Sequence, residues 1–336
     1  GRSGAADTAR ELIGAAVKRL QRFVMIAVLC VAAVFTVAAI VLWRDPFLLV
    51  RGEFARQRVA AGLSRGTVEV AGHRWSYAYR DADAPDAPTV VMLHGFTGSK
   101  ENWYPLAAAL GGRYRVLIPD LPGWGESERK PGAVYGFTEQ AANVEAFIRA
   151  LSPGKPVVLL GHSMGGGIAA VAAARYPREI AKVGLLDAAG VRFKDNAFGL
   201  DVLAGRNPFA VEDEASLKRY IDIVFHDARA KPWLPWPAST ALIRKRRADA
   251  GFEQDVLARI GRSEDSLLPG QEAASIRQPT LLLWCRQDAV IDASALELYA
   301  QRIPQARKVL LDGCGHMSLM ERPAEVADAV VALVDR

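Results

Sequence analysis

Residues 161 to 167 read GHSMGGG and follow the apolar run PVVLL at 156–160. A serine hydroxyl is a weak nucleophile at neutral pH, and it acts only beside a base that an acid holds in place. Both partners occur downstream. Asp288 lies four residues beyond TLLLW (280–284), and His316 lies in GCGHMS just past KVLLD (308–312). Ser163 as nucleophile, His316 as base and Asp288 as the acid that fixes the histidine tautomer make a set suited to acyl transfer. The Gly161-His162-Ser163-Met164-Gly165 spacing is that of a tight strand-to-helix turn that lifts the serine hydroxyl out of the backbone. The N-terminus of the following helix favours the negative charge that develops there.

Other polar residues have competing readings. Asp187 ends VGLLD (183–187) and is a rival to Asp288 for the acid. The backbone N–H groups of Met164 and of Phe96, in HGFTG, are the expected oxyanion donors, each typically worth about 3 to 4 kcal/mol in a transition state. His94 is a candidate substrate-binding residue, although a hydrogen-bonded structural role fits both it and His162. Asp120, in PDLPG, is expected to tie down its own loop. His73 and His226 belong to no constellation, and no Cys/His cluster has metal-ligand spacing. The chemistry needs neither metal nor organic cofactor.

Positioning these groups requires strands that end at one edge. TVEVAG and HRWSYAYRD alternate like a hairpin, and TVVML (89–93), YRVLI (114–118), PVVLL, VGLLD, TLLLW and KVLLD read as buried parallel strands. QAANVEAFIRAL, IAAVAAARYP and AEVADAVVALV read as the helices between them, so a mostly parallel sheet with helices on both faces is expected. Between VGLLD and TLLLW no such run occurs. Residues 191–276 read instead as a helical cap splitting the core into 64–190 and 277–336. Ligands of open α/β sheets bind at the strand carboxyl ends, so this cap would shape the pocket. Trp233 and Trp236, in KPWLPWP, are substrate-binding candidates lining an acyl tunnel, with membrane-interface or cap-core roles open to them as well. The run Arg244, Lys245, Arg246 and Arg247 reads as a solvated helix face, or as a contact with anionic headgroups.

At 336 residues, 51% hydrophobic, 24% charged and with a net charge of +5, the chain has material for a large core and no sign of a nucleic-acid partner. Residues 24–43, VMIAVLCVAAVFTVAAIVLW, carry no charge and form about 30 Å of helix, enough to span a bilayer. This stretch is too long for the core of a secretory signal, so it is read as an uncleaved transmembrane anchor following an N-terminal segment at 1–23. Basic residues flank it on both sides and favour the N-terminus inside. Residues 44–63 are expected to form an amphipathic juxtamembrane helix, either on the headgroups or packed on the domain. Small residues in AAVFTVAA allow a homodimer through the span, without a GxxxG pattern. Cys30 lies in the anchor, and Cys285 and Cys314, near the candidate acid and histidine, are expected to be buried free thiols, with pairing open to them if the domain is periplasmic.

Taken together, HGFTGSKENW, PDLPGWGES, GHSMGG, LLDAAGV, Trp284 to Asp288 and GCGHMSLMERP resemble the α/β-hydrolase superfamily. With the single span and the cap, the likeness is greatest to membrane-anchored monoacylglycerol lipases and bacterial inner-membrane phospholipases A. Cys285 departs from the pattern, which carries glycine there. The resemblance implies an α/β-hydrolase fold and hydrolysis of lipid carboxylic esters, such as monoacylglycerols, lysophospholipids or phospholipids, through an acyl-enzyme. It also implies a lipid bilayer partner, with the domain on the periplasmic side of a bacterial inner membrane. A C–C bond hydrolase or small-ester esterase shares the same three residues, and a non-catalytic ligand-binding homologue shares the fold.

Overall fold

Along each central strand, successive apolar side chains fall into two separate cores, as a period of two requires. In β3 (Thr89–Leu93), Val91 and Leu93 pack into one core, and Val90 and Met92 pack into the other. β5 (Val157–His162) divides in the same way, with Val157 and Leu159 opposite Val158 and Leu160. Both strands are buried along their whole length, which is why their sequences read as continuous apolar runs and not as alternation. Each such side chain contributes about 1.5 to 3 kcal/mol on full burial.

The computed structural model describes residues 3–335. Besides β3 and β5, its sheet contains β1 (Ser64–Val70), β2 (His73–Arg80), β4 (Arg115–Pro119), β6 (Ile180–Leu186), β7 (Thr280–Cys285) and β8 (Arg307–Leu311). The eight strands lie in the order β1-β2-β4-β3-β5-β6-β7-β8. β2 runs antiparallel to both β1 and β4, and every other pair is parallel. One core packs against α4 (Phe137–Leu151), α5 (Met164–Arg175) and α10 (Ser294–Ala300). The other packs against α3 (Tyr104–Leu110) and α12 (Pro323–Val334). Parallel strands therefore all end at one edge, and the short α11 (Ser318–Glu321) follows β8 there.

Between β6 and β7 the described chain is helical. It contains α6 (Ala197–Leu203), α7 (Glu214–Val224), the long α8 (Ala238–Arg262) and α9 (Leu268–Ala273). Asn196 and Asp213 cap α6 and α7 by accepting the N–H groups of Gly199 and Ser216. The basic run does not form one solvated face. Arg244, Lys245 and Arg247 are exposed, but Arg246 is buried, paired with Glu253 at 2.7 Å and placed over the Tyr220 ring.

At the other end of the chain, α1 (Ser3–Arg44) is one continuous helix. Residues Gly14–Arg44 are long and apolar enough to cross a membrane, and side chains such as Phe23, Leu29 and Phe35 are exposed along it. A contiguous apolar surface of this size is not stable in water, and a lipid environment accounts for it. α2 (Leu48–Ala60) follows at once and buries none of its residues. The domain begins after it, with Ala61 and Leu63.

Candidate active site

Ser163 links β5 to α5 with φ +56 and ψ −120, a left-handed conformation costly for a residue bearing a Cβ. The turn fits because the residues two positions to either side, Gly161 and Gly165, have no side chains. A Cβ on Gly161 would stand 2.1 Å from the Gly165 carbonyl oxygen, and one on Gly165 would stand 2.4 Å from that of Leu93. The Ser163 N–H donates to Leu186 O at 3.0 Å, and its carbonyl accepts from Gly167 and Ala189, which anchors the elbow to β6 and α5.

His316 arrives from the loop between β8 and α11. Its Nε2 lies 2.9 Å from Ser163 Oγ, and its Nδ1 lies 2.8 Å from Asp288 Oδ2. The other carboxylate oxygen of Asp288 accepts the N–H groups of Val290 and Ile291 at 2.7 and 3.0 Å. These two bonds fix the carboxylate plane and oppose the burial that pushes the Asp288 carboxyl upward. Burial holds the His316 imidazole down, at about 3, so the ring is neutral at pH 7 and Nε2 is free to accept the Ser163 proton.

Asp187 is excluded from this arrangement by its own partners. Its Oδ1 accepts the Cys285 N–H at 2.9 Å, and its Oδ2 accepts the Ser318 hydroxyl at 2.5 Å. Burial and the nearby Asp288 raise its pKa well above the carboxylate range. It serves as a buried junction between β6, β7 and α11.

Phe96 and Met164 both line the cavity in front of Ser163. Met164 opens α5, where a helix leaves its first amides without an intrahelical acceptor. Among the described residues neither N–H donates to a protein acceptor, so both are available to an oxyanion. The neighbour Thr97, at φ +58, bonds Tyr220 of α7 through the two hydroxyls at 3.0 Å, tying the Phe96 loop to the cap. Asp120 accepts from Lys100 Nζ at 2.7 Å and from the Glu126 N–H at 2.9 Å, joining its loop to the one that follows Phe96.

The cavity has a volume of about 180 Å³. Phe193, Phe198, Val202, Phe209, Leu257 and Ile260 make much of its wall, and Leu203 and Leu267, 47% and 37% exposed, stand toward solvent. A helical stretch between β6 and β7 was expected from the sequence, but these particular wall residues were not. The spacing of Phe198, Val202, Leu257 and Ile260 along α6 and α8 is ordinary helix periodicity and does not say which face meets Ser163, and Phe193 and Phe209 lie in loops.

Three expectations need correction. Trp233 and Trp236 are 75% and 77% exposed and do not line the cavity, because the proline-rich linker between α7 and α8 runs over the surface. His94 is fully buried away from the cavity, with Nδ1–H donating to Gly95 O at 2.8 Å and Nε2 accepting the Leu121 N–H at 3.0 Å. It braces the loop and touches no substrate space. Cys285 and Cys314 are not free thiols but a disulfide, since the register of β7 beside β8 brings their Cα atoms to 5.3 Å.

The comparisons agree with this fold. Residues 90–329 match the alpha/beta hydrolase family. The chain is 27% identical to monoacylglycerol lipase ABHD6 of Bos taurus, over 88% of each protein. It is 27% identical to lipase 1 of Psychrobacter immobilis, over 71% of this chain and 74% of that one. Among solved structures, a membrane phospholipase A described as a bacterial virulence factor aligns with a TM-score of 0.79 and 32% identity, covering 94% of this chain and 98% of that one.

Proposed function

We propose, since the chain belongs to the alpha/beta hydrolase family, that it is a membrane-anchored lipid carboxylic-ester hydrolase working through an acyl-enzyme on Ser163. The observation that carries this reading is the Ser163 Oγ to His316 Nε2 contact of 2.9 Å at the floor of an apolar cavity. His316 Nε2 takes the Ser163 proton as Oγ attacks the ester carbonyl. The Phe96 and Met164 N–H groups receive the oxyanion, and His316 returns the proton to the leaving alcohol. Water, deprotonated by the same nitrogen, then releases the fatty acid. Asp288 keeps Nδ1 protonated and stabilises the imidazolium at each step. The apolar wall suits an acyl chain better than a polar substrate, and the similarity to named lipases and to a membrane phospholipase A supports monoacylglycerols, lysophospholipids or phospholipids as the ester source.

The anchor brings the domain to its substrate, and we place that domain on the periplasmic side of a bacterial inner membrane. Cys285 and Cys314 form a disulfide, which persists in an oxidising compartment, and basic residues precede the span.

The test is lipidomics on vesicles incubated with purified full-length protein or its Ser163→Ala variant. A lipid class consumed by the wild type alone identifies the substrate. Equal consumption by both proteins would sink the assignment of Ser163.

A further inference from the structure

The loop that supplies His316 has no regular structure from residue 312 to residue 317, yet His316 must hold two contacts to within a few tenths of an ångström. Besides the Gln287 and Arg286 side chains that reach Asp312 at its start, three links join it to the turn that supplies Asp288. The first is the disulfide between Cys285 and Cys314, both fully buried. The second is the Gly313 N–H donating to Gln287 Oε1 at 2.9 Å. The third is the Asp288–His316 contact itself. Only the first is covalent, and it lies three residues before the acid and two before the base.

Cys285 is also fixed on its other side. Its N–H donates to the buried Asp187, and its carbonyl accepts the Asp288 N–H at 3.2 Å. A shift of Cys285 therefore reaches Asp288 directly, and a shift of Cys314 reaches His316 through one intervening residue. We propose that the Cys285–Cys314 disulfide is a positioning element of the reaction, holding the His316 loop against the Asp288 turn so that Nε2 stays aimed at Ser163 Oγ. The inference rests on the hydrolase reading above. Both cysteines act through their neighbours and touch no substrate.

The experiment uses full-length protein in detergent. It measures kcat and KM on a p-nitrophenyl ester, and counts active sites by fluorophosphonate labelling of Ser163. Cys285→Ala/Cys314→Ala is compared with the wild type in both the native and the Asp288→Asn backgrounds. kcat per labelled site is expected to fall roughly 10- to 100-fold in the native background, with KM changed less than about twofold, because ångström-scale misplacement is costly to chemistry and not to binding. In the Asp288→Asn background the same cysteine change is expected to cost less than about threefold, since the pair it positions is already broken.

If the double variant does not fold, wild-type protein is reduced by dithiothreitol and alkylated. The dithiol becomes its cyclic disulfide as both cysteines become thiols, and mass spectrometry confirms the loss. A bridge that only stabilises the fold lowers the melting temperature and the number of labelled sites but leaves kcat per site unchanged. That result, or equal losses in the two backgrounds, overturns the proposal. If untreated protein shows no Ser163-dependent turnover, the hydrolase reading itself fails.

Discussion

The ring of His162 donates from Nε2 to the backbone carbonyl of His316 at 2.6 Å, so the residue next to Ser163 holds the main chain of the histidine that meets it. Their rings lie 4.8 Å apart, and burial together with the neighbouring His316 keeps His162 neutral. Elbow and histidine loop are thereby coupled without passing through the Ser163 hydroxyl.

Removing that donor loosens the base and leaves the pocket intact. His162→Ala is expected to lower kcat about tenfold with KM nearly unchanged, and His162→Gln, which can still donate, to recover part of the loss. Steady-state kinetics on a single ester check this, and a change confined to KM would contradict it.

Of Asp187 and Asp288, the two buried aspartates that follow neighbouring strands, only Asp288 meets the imidazole. Asp288→Asn offers an amide where Nδ1–H needs an acceptor, and kcat is expected to fall by roughly 10⁴. Asp187→Asn retains an acceptor oxygen for the Cys285 N–H or the Ser318 hydroxyl, and is expected to lower the melting temperature while holding kcat within about tenfold. Reversal of the two effects would move the acid to β6.

His94 titrates at about 4 when folded, against an ordinary value near 6.5, because burial penalises its charged form and Nε2 is already an acceptor. Since the folded value is depressed, the unfolded chain protonates first as the pH falls, and stability is lost progressively below about pH 6.5. At pH 5 this one group costs about 2 kcal/mol. Thermal unfolding at pH 7 and pH 5 is expected to show a smaller drop for His94→Gln than for the wild type. Equal drops would refute the assignment.

Leu257 of α8 stands in the cavity wall. Leu257→Trp fills acyl space without touching Ser163, so kcat/KM on long-chain esters is expected to fall at least tenfold relative to acetate esters. An unchanged chain-length profile would place the acyl chain elsewhere.

Much of this arrangement was legible in the order of residues. Five of the six parallel strands announce themselves as apolar runs because both their faces are buried, whereas β8, expected to be buried, lies at the sheet edge with none of its residues buried. The elbow declares itself because Gly161 and Gly165 are sterically obligatory, and Asp288 and His316 follow the ends of β7 and β8. The anchor is equally local, since length and apolarity alone define a helix able to span a bilayer.

The remaining features depend on which surfaces meet. Linear spacing does not say that the Asp187 carboxylate turns to Cys285 and Ser318 and away from His316, or that Arg246 folds inward onto Glu253 while its neighbours face water. Nor does it show that Cys285 and Cys314, with β8 between them in the chain, become partners. That pairing is set by the register of β7 on β8, a long-range backbone match that no local propensity encodes. The chain thus specifies by itself the chemistry of the reactive groups and the strand ends that bear them. Packing of the cap and pairing of the strands decide their precise aim and the wall of the cavity in front of Ser163.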